Sequence, residues 1–151
     1  GSGATSWNTI MGNGYNANVT QWSKGEYLNA NNTEDDLLII TSNNGFGYRP
    51  DDTGNTIATA KGLSSLTGNV LQTGIIERST DRDYFFFETT GGAVDLKFSV
   101  AQRGPNLDLQ VKLFNASGQL QLTSAPANVL TAQISAVLAA GRYYISVEGV
   151  G

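Results

Sequence analysis

The sequence predicts an all-β protein: an antiparallel β-sandwich or jelly-roll-like module that follows a short, mostly irregular N-terminal segment containing one helix. Several short runs in the second half alternate apolar with polar residues, which is typical of strands with one buried and one solvated face. Turn-forming clusters of Gly, Asn and Pro separate these runs, as expected in antiparallel sheets. Before Tyr48 the sequence is rich in Gly, Asn, Trp and Tyr, and after it apolar residues begin to alternate with polar ones. We therefore predict two parts, residues 1–47 and 48–151.

The one predicted helix lies at the end of the N-terminal part. Thr33 can cap it, and the acidic residues Glu34 to Asp36 then fall in the first turn, where they complement the helix dipole. The run Asn43-Asn44-Gly45 predicts its end, because Asn and Gly adopt positive φ easily. A buried strand over residues 37–41 is the alternative, and the helix is the preferred interpretation.

Strands are predicted throughout the second part. The clearest alternation covers residues 94–100, 107–113 and 143–147, where every second residue is apolar. Turns at Gly91-Gly92 and Asn115–Gly118 separate neighbouring runs. Shorter strands are predicted at 69–72, 74–77, 119–123 and 132–137.

The aromatic run before Glu88 has two apolar faces. On a strand, Phe85 and Phe87 share one face, and Tyr84 and Phe86 share the other. A two-layer domain buries only one face unless something covers the second. Either the first 47 residues or a loop covers the outer pair, or the pair forms an exposed platform for a ligand, or it makes an oligomer contact.

Composition excludes several classes of function. The net charge is −4 and the nine basic residues are scattered, which argues against nucleic acid as a partner. No apolar run is long enough to span a membrane, and no signal peptide opens the sequence. For an exported protein, we therefore expect the signal to lie outside this stretch.

The sequence contains neither histidine nor cysteine. Disulfides and thiolate metal sites are therefore excluded, and so are the commonest general base and the Ser-His nucleophile pair. The acidic residues Glu77, Asp81, Asp83 and Glu88 could form a glycosidase pair, but clustered acids on a β-module are usually solvated or metal-bound. We expect no catalysis and no bound zinc.

Five pieces of the second part resemble, in their order, the bacterial pre-peptidase C-terminal (PPC) domain. They are residues 51–56, 58–60, 74–76, 81–87 and the closing run 141–147. The resemblance covers about residues 48–151 and implies a secreted bacterial β-sandwich that accompanies an enzyme.

The first part is similar to the end of a secreted metzincin-like zinc protease domain. The similar pieces are residues 6–12, 21–27 and 31–37. In that family a methionine turn, here at Met11, lies under the zinc site, and the zinc-binding histidines lie upstream. The resemblance therefore implies a parent metalloprotease, whereas this chain lacks every zinc ligand. The alternative is that Trp7, Met11 and Trp22 are core residues of a small N-terminal cap, which describes the fragment taken alone better.

Calcium is the expected cofactor, because it binds carboxylate and amide oxygens. Asp51, Asp52 and Asn55 offer such oxygens near the start of the second part, and Asp81 and Asp83 offer more just before the aromatic run. The resemblance implies that calcium lies between these two stretches, held by the four aspartates.

Two arginines weaken the calcium prediction. Arg49 stands where many relatives have acidic or amide residues, and Arg82 separates Asp81 from Asp83. A network of Asp–Arg pairs, or an aspartate that caps a helix, is the alternative interpretation of the same residues.

Taken together, the resemblance implies a non-catalytic accessory domain of a secreted bacterial metalloprotease that binds a polysaccharide or an extracellular protein polymer. Aromatic rings stack on sugars and anchor protein interfaces, so the candidate ligand-binding residues are Tyr84, Phe86, Tyr143 and Tyr144. The alternative function is that of a structural spacer or intramolecular chaperone that calcium makes rigid and that has no polymer ligand.

Overall fold

The computed structural model describes residues 6–13, 15–63 and 68–150 and confirms the all-β class. These described residues contain one short α-helix, and no helix among them is long and apolar enough to cross a membrane. In chain order the elements are β1 (Trp7–Thr9), β2 (Val19–Gln21), α1 (Asp36–Asn43), a 3-10 turn (Ile57–Thr59), β3 (Lys61–Gly62), β4 (Arg82–Thr89), β5 (Gly92–Phe98), β6 (Leu109–Phe114), β7 (Leu120–Ser124), β8 (Ala132–Leu138) and β9 (Gly141–Gly149).

Two sheets form the sandwich. The larger sheet has the strand order β3-β4-β9-β6-β7, and the smaller one pairs β5 with β8. The pairing is antiparallel except at the edge, where the two-residue β3 runs parallel to β4. Val111, Leu113 and Ile145 of the larger sheet pack against Ala132 and Ile134 of β8, and all five are buried. The core therefore lies between the two layers.

The predicted strands agree with β5 to β9, but two predictions are wrong. The runs at 69–72 and 74–77 are not strands; apart from Ile76 and Glu77, which are half-buried, they are exposed loop. At Ile75 the backbone N–H donates to the Asp52 carboxylate at 3.1 Å instead of to a neighbouring strand. These apolar residues therefore belong to a loop that is hydrogen-bonded to Asp52.

The helix is present, but its start was predicted too early. Asp35, not Thr33, is the N-cap, and its carboxylate accepts a hydrogen bond from the Leu38 N–H at 2.9 Å. The end agrees with the prediction, since the helix stops at Asn43 and Gly45 has φ 71°. The alternative strand over residues 37–41 is not formed, because these residues lie within α1.

The N-terminal segment contains a two-stranded sheet of its own. β1 and β2 pair in parallel, and the rings of Trp7 and Tyr27 meet edge to face at 5.7 Å. The Thr20 N–H donates to the Asn106 side chain of the sandwich at 3.4 Å. Trp7, Met11 and Trp22 are all exposed, so none of the three is a core residue of a cap.

The outer face of β4 is only partly covered. Phe85 is buried, whereas Tyr84 and Phe86 on the opposite face are half-buried. The Phe86 ring lies against β3: a Cβ placed on Gly62 would meet the ring at 2.9 Å. Residues 61–62, rather than the first 47, therefore provide this cover.

Candidate metal centre and aromatic face

A tight turn brings the two acidic stretches together. Asp51 accepts hydrogen bonds from the Thr53 N–H at 2.9 Å and from the Asn55 amide at 2.6 Å. The Asn55 side-chain oxygen in turn accepts from the Arg82 N–H at 2.8 Å. Gly54 accepts from the Tyr84 N–H at 3.1 Å, so the turn is tied to the first residues of β4. Asn55 thereby positions Asp51, and its own oxygen is already occupied.

Three of the predicted ligands meet at this point. One carboxylate oxygen from each of Asp51, Asp81 and Asp83 lies within 4.8 Å of the other two. Asp81 and Asp83 are only 4% and 2% exposed. Oδ1 of Asp83 and both oxygens of Asp81 have no well-aligned hydrogen-bond partner among the described residues, although the Glu77 carboxyl is near enough to Asp81 to share a proton with it. Buried carboxylate oxygens without partners are costly, so this cluster needs a proton or a cation.

The cluster has the electrostatics of a cation site. Burial, followed by the carboxylates of Asp52 and Asp81, raises the pKa of Asp83 from 3.8 to about 7. Burial also raises the pKa of Asp81, with the Glu77 carboxylate as the next cause. A bound divalent cation would reverse this preference, because it stabilises the ionised forms.

Calcium fits the geometry and the donor set. Its oxygen ligands lie at 2.3–2.6 Å, so two oxygens on opposite sides of the ion are about 5 Å apart. The separation of up to 4.8 Å among Asp51, Asp81 and Asp83 is within this span. Calcium takes six to eight oxygens, so three carboxylates would leave positions for other ligands. Asp51 and Asp81 also help to line a cleft of about 510 Å³.

The alternative of an Asp–Arg network finds little support. The Arg82 guanidinium binds Glu148 at 2.7 Å, and the Arg78 guanidinium lies over the Tyr48 ring at 4.1 Å. Among the described ion pairs, none joins an arginine to Asp51, Asp81 or Asp83. The alternative of a helix-capping aspartate does not apply to Asp51 either, because its two oxygens accept hydrogen bonds within residues 51–55 and the N-cap of the following 3-10 turn is Thr56.

Asp52 lies beside the cluster rather than inside it. Its Oδ1 accepts from the Ile75 N–H, and its charge acts on Asp83. The loop approaches closely here because residue 74 is glycine: a Cβ at Gly74 would lie 2.5 Å from Oδ2 of Asp83. The loop after β3 is thus held directly against the acidic cluster.

The sequence did not identify two further oxygen donors. Glu77 Oε2 and Thr53 Oγ1 are buried without a partner among the described residues. Glu77 was considered only as one of a pair of catalytic acids. Its spacing from Asp81 and Asp83 is a signal that could have marked it as a ligand. A buried threonine in a turn carries no such signal, because its burial depends on the fold.

The outer face of the larger sheet carries an aromatic stripe, which consists of Tyr84, Phe86, Phe114 and Tyr144. The Phe86 and Tyr144 rings lie 6.3 Å apart, and the Tyr84 and Phe114 rings stack at 6.1 Å. The register explains the stripe, since β9 places Tyr144 opposite both Phe86 and Phe114. All four side chains are half-buried. Phe114 was not predicted, because its strand was read for its buried face alone.

Tyr143 does not join the stripe. It lies on the opposite face of β9, where its ring stacks on Phe87 at 5.8 Å and packs against the core. Its hydroxyl donates to the Ala139 carbonyl at 3.3 Å. Of the four predicted ligand-binding aromatics, the structure therefore places three on one face.

Ion pairs flank the stripe at both ends. Glu148 is only 8% exposed and binds both Arg82 and Lys112. At the other end the Arg142 guanidinium binds Glu88 at 2.6 Å and lies over the Phe86 ring at 4.6 Å. Each of these charged groups is paired within the sheet, so the aromatic rings of the stripe lie between ion pairs rather than beside unpaired charges.

The comparisons with known proteins do not identify the chain. No protein-family model matches the sequence, and no curated protein matches it significantly. The resemblances to the pre-peptidase C-terminal domain and to a metzincin end therefore stay predictions that rest on the residues given above. The geometry of the acidic cluster and of the stripe carries the functional argument.

Proposed function

We propose that this chain is a non-catalytic accessory module that binds calcium in its acidic cleft and a polysaccharide on its aromatic stripe. One observation carries the proposal: the first residues of β4 contribute to both features. Asp83 belongs to the acidic cluster, whereas Tyr84 and Phe86, on the other face of the strand, belong to the stripe. Calcium that fixes the start of β4 would therefore also fix the stripe.

The chemistry of the chain supports binding without turnover. With no imidazole and no thiol, the side chains offer oxygen ligands and ring faces. The residues at 51–56 and 81–87 that resemble the pre-peptidase C-terminal domain support a secreted bacterial parent protein. The resemblance of residues 1–47 supports a zinc metalloprotease as that parent, whose catalytic domain would then be the second partner.

A binding series tests the polysaccharide. The 151-residue chain is run in affinity gels that contain soluble polysaccharides, and it is incubated with insoluble polysaccharides and with collagen as the protein polymer. We expect retention by at least one polysaccharide and its loss by about tenfold or more in Tyr144→Ala, since buried aromatic anchors contribute most to binding. Tyr143→Phe is the matched control, because it removes only a hydroxyl from the opposite face. Uniform non-binding contradicts the proposal, and binding to collagen alone reassigns the ligand to protein.

A structural role is the second candidate, and one observation favours it. Asp51 and Asp52 lie between the helix-bearing segment and the sandwich, so calcium bound there would tie residues 48–55 to β4. The module would then act as a rigid spacer or an intramolecular chaperone. A calcium-induced rise in the melting temperature together with no retention by any polymer would favour this role.

A further inference from the structure

The cleft beside the acidic cluster contains two guanidinium groups that form no ion pair among the described residues. Arg49, Arg78 and Arg82 all line it, together with Asp51 and Asp81. Arg82 is paired with Glu148, but Arg49 and Arg78 make no ion pair with any described carboxylate. This is unexpected beside so many carboxylates. No described carboxylate therefore neutralises the Arg49 and Arg78 guanidinium groups, although that of Arg78 already lies over the Tyr48 ring at 4.1 Å. Guanidinium N–H groups bind carboxylates in a bidentate manner.

The charge of the cleft depends on the cation. When every carboxyl group around it is ionised, the metal-free cleft is negative and repels an anionic ligand, because these carboxylates outnumber the guanidinium groups. A bound divalent cation neutralises this excess. The groups are the carboxylates of Asp51, Asp52, Glu77, Asp81 and Asp83 and the guanidinium groups of Arg49, Arg78 and Arg82.

The cleft and the stripe both use residues of β4. Arg82 lines the cleft, and Tyr84 and Phe86 follow it on the same face of β4. Successive residues in a strand rise by about 3.3 Å, so the distance from Arg82 to Phe86 is about 13 Å. A single oligosaccharide can therefore reach from the cleft to the rings.

We propose that the polysaccharide is acidic: a uronate-bearing chain that places a carboxylate in the calcium-loaded cleft, against Arg49 and Arg78, and its sugar rings on the stripe. This inference rests on the proposed function and narrows it. Three protein carboxylates leave coordination positions on calcium, and a uronate supplies oxygens of the kind that the ion prefers. Calcium is then required for the acidic ligand, because the ion supplies the coordination positions for the uronate oxygens and offsets the charge of the ionised aspartates.

The test is isothermal titration of the full chain with short oligogalacturonates, in calcium and in EGTA. The matched ligand is the same oligosaccharide after chemical reduction of its carboxylates, which keeps the ring and the linkage. We expect binding of the acidic form in calcium and a loss of at least about tenfold in EGTA, in Arg78→Gln and in Arg49→Gln, as for lost charge-assisted hydrogen bonds. Arg103→Gln, an exposed arginine outside the cleft, should bind as the parent does.

The outcomes separate this inference from the function on which it rests. Equal binding of the acidic and reduced oligosaccharides, or acidic binding that survives EGTA or Arg78→Gln, overturns the uronate assignment while binding on the stripe stands. Binding of neither oligosaccharide overturns the assignment, and failure of every polymer in the gels overturns the proposed function too. Circular dichroism of each variant checks that a loss is not caused by unfolding.

Discussion

Asp83 combines deep burial with a strong negative environment. It is 2% exposed, and this burial, together with the charges of Asp52 and Asp81, raises its pKa to about 7. In the unfolded chain the same carboxyl would have a pKa near 3.8. The folded state therefore holds a proton that the unfolded state releases, and the free energy of unfolding depends on pH.

In calcium-free buffer, the stability should fall as the pH rises. The raised pKa gives a contribution that is fully present below about pH 4 and lost as the pH passes about 7, with a slope of about 1.4 kcal/mol per pH unit between. The chain has no histidine, so no imidazole obscures this region. Urea unfolding in EGTA at pH 5, 6, 7 and 8 measures the effect. A flat profile would show that Asp83 is not buried as described.

The substitution Asp83→Asn distinguishes a cation site from the alternative network of Asp–Arg pairs. Without calcium the substitution removes a buried charge, so we expect a higher melting temperature than the parent at pH 8. With calcium the order should reverse, because the variant has lost a ligand. Differential scanning calorimetry in calcium and in EGTA makes the comparison.

Asp95→Asn is the control for that experiment. Asp95 lies on β5, where hydrogen bonds from Ser135 and Gln133 lower its pKa. Its substitution should leave the calcium-induced rise intact. If Asp83→Asn destabilised the protein equally with and without calcium, the network interpretation would be correct.

Among the elements, β6 and β9 contain most of the core. Val111, Leu113 and Ile145 are at most 1% exposed, and they pack on β8 across the sandwich. β7 lies at the edge, and its Leu122 is 40% exposed. We therefore expect Leu113, in the centre of the sandwich, to contribute more to stability than Leu122, at its edge.

Leu113→Ala should lower the free energy of unfolding by about 2–5 kcal/mol, because it leaves a cavity between the two sheets. Leu122→Ala should cost less than about 1 kcal/mol, since its side chain is already partly solvated. Urea denaturation of both variants at one pH and calcium concentration provides the measurement. Equal losses would contradict the position of the core.

The sequence predicted the elements where one periodicity dominates. Strict alternation identified β5, β6 and β9, and the Asn115–Gly118 turn separated β6 from β7. The loop over 69–77 was misread as strand, because local apolar content cannot show whether a sheet edge is available. The helix starts two residues later than predicted. Both Thr33 and Asp35 can act as the N-cap, and the sequence alone does not show which of them does.

The candidate site was also predictable only in part, because the sequence shows the chemistry of its residues but not their positions in space. The carboxylates of Asp51, Asp81 and Asp83 were identified by their chemistry, but their convergence depends on the turn that Asn55 ties to Arg82. The aromatic stripe depends on register across β4, β9 and β6. Register placed Phe114 in the stripe and Tyr143 outside it, and a single strand carries no information about either.

For the molecule as a whole, the N-terminal segment leaves apolar surface uncovered. Ile10 and Trp22 are 42% and 44% exposed, and Met11 is 86% exposed. Exposed apolar surface of this kind favours association. The chain should therefore self-associate reversibly as its concentration rises.

Sedimentation velocity over a range of concentrations tests this expectation. The double variant Ile10→Ser with Trp22→Ser should shift the protein toward monomer, because it removes two of the apolar contacts. Leu71→Ser is the control, since Leu71 is exposed in the loop before β4, outside the N-terminal segment. Monomeric parent protein at every concentration would contradict the expectation.

The account depends most on a cation between the turn at residues 51–55 and the start of β4. The most direct measurement is a crystal structure grown with calcium and with anomalous data. We predict one anomalous peak with oxygens of Asp51, Asp81 and Asp83 at about 2.3–2.6 Å. A site without a peak, with these aspartates bound to Arg49 or Arg78 instead, would contradict the account.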